Sequence, residues 1–213
     1  PEKHTVLSNT LVNKRTVKDG WQTVEFNKTK PMPTYLVALA VGELDAYDIP
    51  NLSVPGKIYT PKGQSQRTKF AAKNTAGILQ NLERYFGSAY PYQKLDFVAV
   101  PNFTFGAMEN VGLVTYRSSL LLLDDEPRLA EQSSTLNVIA HELAHMWYGN
   151  LVTMAWWDDL WLNEAFASWM ASKVMMDLYP EQNFKGRLVQ EVNKQRHQFS
   201  YVLVPSLKHI PSS

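Results

Sequence analysis

Two histidines and a glutamate in the segment VIAHELAHMWYGN have the spacing of a metal site. His141 and His145 stand four residues apart, and Glu142 directly follows the first histidine. A helix turns by about 100° per residue, so both imidazoles would point to one side, about 40° apart, and could bind one ion. Glu142 is turned by about 100° from His141, which suits a general base beside the ion rather than a ligand. A helix whose histidines make only ordinary hydrogen bonds is the alternative.

The next helical segment supplies a candidate third ligand. Leu160, Glu164, Ala167 and Ala171 fall on one face at helical spacing, and three of these four residues are apolar. A carboxylate on such a face is expected to be paired or bound to metal, although an exposed face or a salt bridge would also explain Glu164. With the two histidines, it would hold one zinc ion per chain and leave the fourth position to water. Glu142 would take the proton of that water and pass it to the leaving amine.

The composition narrows the choice of ligands and partners. The chain has no cysteine, which excludes disulfides and thiolate ligands, so histidine and carboxylate must hold any zinc. Its 213 residues, 45% of them hydrophobic, suffice for one large domain or two small ones. The 21 Lys and Arg residues nearly balance the 20 Asp and Glu residues, which predicts no nucleic-acid partner. No run approaches the ~18 consecutive apolar residues of a membrane span.

The elements that must position these residues follow an order of strands first and helices afterwards. Residues 4–59 carry β-branched and aromatic residues in short runs, with Asp19-Gly20 as a turn. A passage rich in Pro and Gly predicts a domain boundary near Val54. Lys94–Pro101 is predicted to be a buried strand, and GLVTYRSSLLLLDD one or two more. This order predicts an α+β fold, with an N-terminal β-sheet module before a catalytic unit.

Apolar periodicity predicts four helical segments. They run over Gln64–Phe86, from Pro127 or Ser133 to Tyr148, over Leu160–Leu178 and over Glu181–Phe199. Gly87 and Gly149 are the expected stops of the first two. Four aromatic residues are expected to pack the two ligand-bearing helices together, namely Trp147, Trp156, Trp157 and Trp161.

A second motif, GAMEN, stands upstream of the histidine segment, in NFTFGAMENVGLVTYR. Eighteen residues separate His145 from Glu164 in DDLWLNEAFASW. Together these motifs resemble the gluzincin aminopeptidases, the group of aminopeptidase N and leukotriene hydrolase. YLVALAVGEL and LERYFGSAYPYQKLDFVAVPNF also match the family, so the resemblance covers nearly the whole chain. It implies a zinc-dependent aminopeptidase with His141, His145 and Glu164 as ligands and Glu142 as the base.

Taken alone, GAMEN is typical of a turn between strands with a solvated Glu109. The resemblance implies instead that the segment lines the active-site cleft as an edge strand and that Glu109 binds the free α-amine of the substrate. Such a carboxylate would admit an N-terminal ammonium and reject a chain that continues past it. The peptide groups of Gly106 and Ala107 would bond to the substrate main chain, and Met108 would face the first side-chain pocket. Asn110 completes the motif and counts among the substrate-binding candidates.

The resemblance also implies how the chain is divided. Residues 1–54 would form the C-terminal part of a β-saddle-like N-terminal domain, and residues 55–213 a thermolysin-like zinc metallopeptidase domain, truncated at its C-terminal end. Neither terminus reads as a domain end, so a fragment is expected. The tyrosine with which the family stabilises the tetrahedral oxyanion is not found, and losing one such donor typically lowers the rate by ~10²–10³. The fragment is therefore expected to bind zinc and to be weakly active.

Other functions stay open at this point. A thermolysin-like endopeptidase shares the zinc site, although GAMEN argues against it. A non-catalytic, peptide-binding fragment is a further alternative, against which the intact set of four zinc-site residues argues. Epoxide hydrolysis, found in one branch of the family, is open as well. The expected partners are peptides with a free N-terminus, whereas compartment, oligomeric state and preferred N-terminal side chain do not follow from the sequence.

Overall fold

The structure is a computed structural model that describes residues 1–182. Its strands are β1 Thr5–Ser8, β2 Val12–Lys18, β3 Trp21–Phe26, β4 Leu39–Gly42, β5 Leu44–Asp48, β6 Lys57–Pro61, β7 Asp96–Val100, β8 Ala107–Met108 and β9 Leu113–Arg117. Its α-helices are α1 Lys69–Phe86, α2 Ser118–Leu121, α3 Leu129–Ala144 and α4 Leu160–Leu178. The helix predicted over Glu181–Phe199 lies outside the described residues, apart from its first two positions.

Two small antiparallel sheets form the N-terminal part of the chain. β1 pairs with β4, and β2 pairs with β3. Asp19 and Gly20 form the tight turn between β2 and β3 with φ angles of 52° and 74°, which confirms the turn predicted from this pair. Directly after β1, the buried side chain of Asn9 donates a hydrogen bond of 2.8 Å to the carbonyl of Leu36. This bond ties β1 to the short 3₁₀ helix Thr34–Leu36.

A five-stranded sheet with the order β5-β6-β7-β9-β8 forms the larger part of the β structure. β6, β7 and β9 run parallel, and β5 and β8 pair antiparallel at the two edges. β7 lies within the strand predicted over Lys94–Pro101, and all but its last residue are buried. The edge position of β8 leaves one side of the GAMEN segment without a strand partner in the described residues.

The segment GLVTYRSSLLLLDD forms one strand, β9, and the second strand considered for it is wrong. Ser118–Leu121 is the short helix α2, in which the N–H of Leu122 bonds to the carbonyl of Ser118 at 2.9 Å. Three of the four leucines at the end of the segment are buried, namely Leu121, Leu122 and Leu123. A continuous apolar run carries no period that distinguishes a buried strand from a buried helical turn.

The long helices α1, α3 and α4 pack against one another, and they share one hydrophobic core with β6, β7 and β9. α1 ends at the predicted stop, where Gly87 adopts a left-handed conformation with φ of 61° and its N–H bonds to Glu83. Fully buried side chains from both layers form the core, among them Ile58, Leu79, Leu82, Phe97, Tyr116, Leu136 and Ile139. α3 contacts the other three α-helices as well as β8, so it lies at the centre of this core.

The described residues form a mixed fold of sheets and four α-helices, in keeping with the predicted strands and helices. β5 precedes the boundary predicted near Val54, yet it pairs with β6 on the far side, from Leu44 opposite Pro61 to Asp48 opposite Lys57. The division into domains stays a prediction. Among the helices of residues 1–182, none combines the length and the apolar character needed to cross a bilayer.

Candidate metal centre

α3 carries His141 in its last turn and His145 at its C-terminal cap. The sequence predicts a helix as far as Tyr148, and this boundary is wrong, since α3 ends at Ala144. Beyond Ala144 the chain forms a turn instead of a regular α-helix. The N–H groups of Trp147 and Tyr148 both bond to the carbonyl of Ala144 there, at 3.3 and 3.2 Å. His145 keeps helical angles, with φ of −59° and ψ of −23°, so both imidazoles still face the same side.

The ligand atoms of His141, His145 and Glu164 lie within 4.8 Å of one another. The Nε2 atoms of the two histidines are 3.2 Å apart. The carboxylate oxygens of Glu164 are 3.3 Å from Nε2 of His141 and 3.7 Å from Nε2 of His145. Ligands at ~2.0–2.1 Å from a tetrahedral zinc ion are separated by about 3.3 Å. The three groups therefore fit the coordination of one zinc ion.

The second nitrogen of each histidine has a partner, and the partner of His145 supports the use of its Nε2 as a ligand. Nδ1 of His145 lies 3.2 Å from the carbonyl oxygen of Tyr148. A carbonyl only accepts hydrogen bonds, so Nδ1 carries the proton and Nε2 keeps its lone pair. Nδ1 of His141 lies 3.4 Å from the hydroxyl of Ser168 on α4. This contact links the helix of the histidines to the helix of the carboxylate.

Gly149 allows the chain to pass closely behind His145. Its φ is +121°, a conformation that L side chains rarely adopt. A Cβ atom at this position would lie 3.0 Å from Nδ1 of His145. The glycine expected as a helix stop thus also leaves room for the imidazole.

The candidate ligands differ strongly in their exposure to solvent. His145 is fully buried, whereas the side chain of Glu164 is 51% exposed. Contact with His141 holds the pKa of Glu164 below its ordinary value, which keeps this carboxylate charged. Burial lowers the pKa of His145, and the neighbouring His141 lowers it further, so the ring stays neutral as a ligand must.

Glu142 is buried beside the three candidate ligands. Burial raises the pKa of its carboxyl well above the ordinary value, and the negative charges of Glu109 and Glu164 raise it further. A carboxylate in such surroundings holds a proton more strongly than one in water. This is the property that a general base for water needs.

An open cleft of about 610 Å³ joins the candidate metal centre to the GAMEN segment. Its lining includes four of the five predicted GAMEN residues together with three residues of the zinc motif, namely Gly106, Ala107, Met108, Glu109, His141, Glu142 and Glu164. Glu109 is buried, and burial raises the pKa of its carboxyl. Asn110 is buried outside the cleft lining and accepts a hydrogen bond of 3.0 Å from Thr115, so its part in binding stays a prediction.

Three side chains that sequence reasoning missed hold the backbone around Glu109. Asn150 donates to the carbonyl of Glu109 at 2.8 Å, and Asn9 to that of Val111 at 2.8 Å. Lys94 donates to the carbonyl of Gly112 at 2.6 Å and pairs with Asp96 at 2.8 Å. These donors stand 41, 102 and 18 residues from their acceptors along the chain. No local pattern in the sequence could have pointed to the first two contacts.

The prediction that four tryptophans pack the two ligand-bearing helices together is wrong for three of them and is not shown for Trp147. Trp147 is buried and stacks on Phe86 of α1, with ring centroids 5.0 Å apart. Trp156, Trp157 and Trp161 are exposed instead. Trp157 lines the cleft and contacts Tyr35, a residue of the N-terminal part that sequence reasoning also missed. Composition alone predicts that large aromatic residues pack, but not against which element.

Comparison with known proteins agrees with the motifs. Residues 70–206 match the family described as "Peptidase family M1 domain". "Aminopeptidase 2, mitochondrial" of Saccharomyces cerevisiae is 48% identical over 83% of this chain and 19% of its own length. "Glutamyl aminopeptidase" of Bos taurus is 46% identical over 78% of this chain and 18% of its own length. "Leucyl aminopeptidase" of Saccharolobus solfataricus is 39% identical over 84% of this chain and 23% of its own length. The chain spans about a fifth of the length of these relatives.

Proposed function

The chain belongs to peptidase family M1, and we propose that it carries the active site of a zinc-dependent aminopeptidase that removes N-terminal residues from peptides. The observation that carries this proposal is the cluster of His141, His145 and Glu164. His141 and Glu164 of this cluster line one cleft with two further carboxylates, Glu142 and Glu109. The names of the relatives support the same reading, since the three named above are aminopeptidases.

The donor set favours one zinc ion per chain. Two neutral imidazoles and a carboxylate are the protein ligands of many catalytic zinc sites, which keep one position open. When bound, zinc would polarise the scissile carbonyl and lower the pKa of a nearby water molecule. His141, His145 and Glu164 would hold the ion, with His145 oriented by the carbonyl of Tyr148.

Glu142 is the proposed general base. Its carboxylate would accept a proton from the attacking water and deliver it to the nitrogen of the leaving amine. A general base must be ionised, and a zinc ion bound beside Glu142 would favour the ionised form of this buried carboxyl. Its place in the cleft beside Glu164 supports the role as well.

Glu109 is the proposed acceptor of the substrate's α-ammonium. A buried carboxylate without a cation is costly, and the raised pKa of Glu109 reflects that cost. A bound ammonium would offset it, whereas an acetylated N-terminus offers no charge. A peptide that continued past this point would leave the Glu109 carboxylate buried and unpaired. Glu109 would thus select free N-termini and argue against an endopeptidase.

The edge strand β8 is suited to hold the substrate main chain. It pairs with β9 on one side only within the described residues, so its other edge could accept an extended peptide. Gly106 and Ala107 would supply the backbone groups, and Met108 would contact the first side chain of the substrate.

The proposed division into domains is that residues 1–54 would be the end of a β-saddle-like domain, and residues 55–213 part of a thermolysin-like catalytic domain.

Metal content is the first test of the proposal. We expect about one zinc per chain by elemental analysis of the purified 213-residue protein. Glu164→Ala should lose the ion, whereas Glu43→Ala, which alters an exposed glutamate in a surface ion pair, should retain it. Absence of zinc from the wild type after supplementation would contradict the proposed metal site.

Cleavage assays then separate the alternatives. Leucine p-nitroanilide should be hydrolysed and its N-acetylated form should not, and Glu142→Gln should lower kcat by ~10²–10⁴ while the zinc remains bound. Cleavage of the acetylated compound would favour an endopeptidase. Stoichiometric zinc without cleavage of either compound would favour the non-catalytic, peptide-binding alternative for this chain.

A further inference from the structure

Tyr35 brings a hydroxyl group from the N-terminal part of the chain into the cleft. It lies in the 3₁₀ helix Thr34–Leu36 and lines the cleft together with Glu109 and Glu164. Its ring packs against Trp157, with centroids 5.3 Å apart. Its hydroxyl oxygen is buried and has no hydrogen-bond partner within residues 1–182. Because an unpaired buried hydroxyl is unfavourable, this group needs an explanation.

One buried side chain holds Tyr35 and Glu109 in a fixed relation. Asn9 donates hydrogen bonds of 2.8 Å to the carbonyl of Leu36, which follows Tyr35, and to that of Val111, two residues after Glu109. Both bonds are buried, which favours a single arrangement of the two backbone segments. The unpaired hydroxyl is therefore not the result of a loose turn.

The hydroxyl of Tyr35 lies in the field of two carboxylates. Burial first, and then the charges of Glu109 and Glu164, raise the pKa of Tyr35 to about 12. Of these two carboxylates Glu109 has the larger effect. The phenol is thus neutral at physiological pH, with lone pairs available to a donor. A neutral acceptor beside carboxylates suits a cation that carries several N–H groups.

We propose that the hydroxyl of Tyr35 accepts an N–H hydrogen bond from the α-ammonium of the substrate, so that Tyr35 and Glu109 bind this group together. The inference rests on the proposed function, in which Glu109 receives the ammonium. A primary ammonium has three N–H donors, and a donor left unpaired in a closed cleft lowers affinity. A second acceptor from a different part of the chain strengthens the selection of free amines.

The test compares L-leucine with 4-methylpentanoate, which has the same side chain and carboxylate but lacks the amine. Dissociation constants are measured by NMR titration of the full chain, zinc-loaded and metal-free. Tyr35→Phe should weaken leucine binding about tenfold and leave 4-methylpentanoate unchanged, because the lost bond involves a charged donor. Tyr59→Phe, at a half-buried tyrosine outside the cleft lining, should change neither. Tyr35→Phe should also unfold at the same temperature as the wild type or higher, since the hydroxyl of Tyr35 has no hydrogen-bond partner among residues 1–182.

The outcomes distinguish the two proposals. If the wild type prefers leucine and Glu109→Gln abolishes the preference, but Tyr35→Phe keeps it, only the role of Tyr35 is overturned. Equal weakening of both ligands in Tyr35→Phe would also overturn it, because a change of pocket shape would then explain the result. If the wild type does not distinguish the two ligands, amine recognition by Glu109 fails and the role of Tyr35 fails with it.

Discussion

The two sides of the candidate metal centre are held in different ways. The histidine side, residues 129–149, contains the fully buried His145, and Trp147 packs this side against α1. The carboxylate side, residues 157–164, begins in a 3₁₀ helix and has no side-chain cap on its helix start. Glu164 is half exposed there, and Trp161 is 66% exposed. The hydrophobic core thus holds the histidine side, whereas most of the side chains of residues 157–164 are exposed.

This difference has a physical consequence for metal binding. Burial of apolar surface supplies most of the stability of a domain, so the histidine side should keep its geometry without an ion. The carboxylate side is expected to gain order when the ion joins Glu164 to the histidines. Four changes in the free energy of unfolding, from the largest to the smallest, test this contrast.

Trp147→Ala should cost the most, about 3–5 kcal/mol of unfolding free energy. The residue is 4% exposed, stacks on Phe86 and contacts the edge of Tyr90, so truncation leaves a cavity beside the histidine side. Urea denaturation of the metal-free chain measures the effect. Trp147→Phe is the control and should cost less, because it keeps an aromatic ring and removes an N–H that has no partner in the described residues. A loss below ~1 kcal/mol for Trp147→Ala would contradict the view that the core fixes this side.

Local sequence patterns predicted much of the fold. The Asp19-Gly20 pair predicted its turn, Gly87 its helix end, and the long apolar periodicities predicted α1, α3 and α4. What failed was decided by tertiary contacts. Ser118–Leu121 after β9 forms a helical turn with Leu121 in the core, and α3 ends at Ala144, where the chain turns behind His145.

Removal of zinc should have the second-largest effect. A ligand present at 100 times its dissociation constant stabilises the folded state by about 2.7 kcal/mol, so a chelator should remove that amount. Hydrogen exchange adds the comparison between the two sides. Amides of residues 160–164 should lose more protection on chelation than amides of residues 139–145. Equal loss on both sides would contradict the contrast, and no loss on either side would contradict metal binding.

Gly149→Ala should have the third-largest effect. It should lower the free energy of unfolding by about 1–3 kcal/mol, because alanine is strained at a φ of +121°. The added Cβ would also approach Nδ1 of His145 to 3.0 Å, so zinc affinity should fall as well. Gly63→Ala is the matched control, because Gly63 has φ of +83° and nothing within 4 Å of an added Cβ. It should lose stability through strain and keep zinc affinity. Equal zinc affinity in both variants would show that Gly149 does not position the histidine.

The residues of the site were predictable to the extent that they share a helix. Helical spacing predicted that His141 and His145 lie on one side, with Glu142 turned away beside them. The apolar face that carries Glu164 predicted that this carboxylate is paired or bound to metal, although the ligand roles stay predictions. Asn9 and Tyr35 were not predictable. Asn9 bonds to Val111, 102 residues away in the sequence, and Tyr35 lines the cleft from the N-terminal part of the chain. The exposure of the carboxylate side was missed for the same reason. Its aromatic composition predicted packing where the fold leaves the rings open to solvent.

Trp161→Ala should have the smallest effect, within about 0.5 kcal/mol of the wild type in metal-free urea denaturation. Its side chain is 66% exposed, so truncation removes little buried surface. Trp161→Ala makes the same chemical change as Trp147→Ala, but at an exposed residue instead of a buried one. A loss above ~1 kcal/mol would mean that the carboxylate side is packed in solution and that both sides are held by the core. A small loss together with weakened zinc binding would instead show that the ring helps to position Glu164 without contributing to global stability, which would sharpen the contrast.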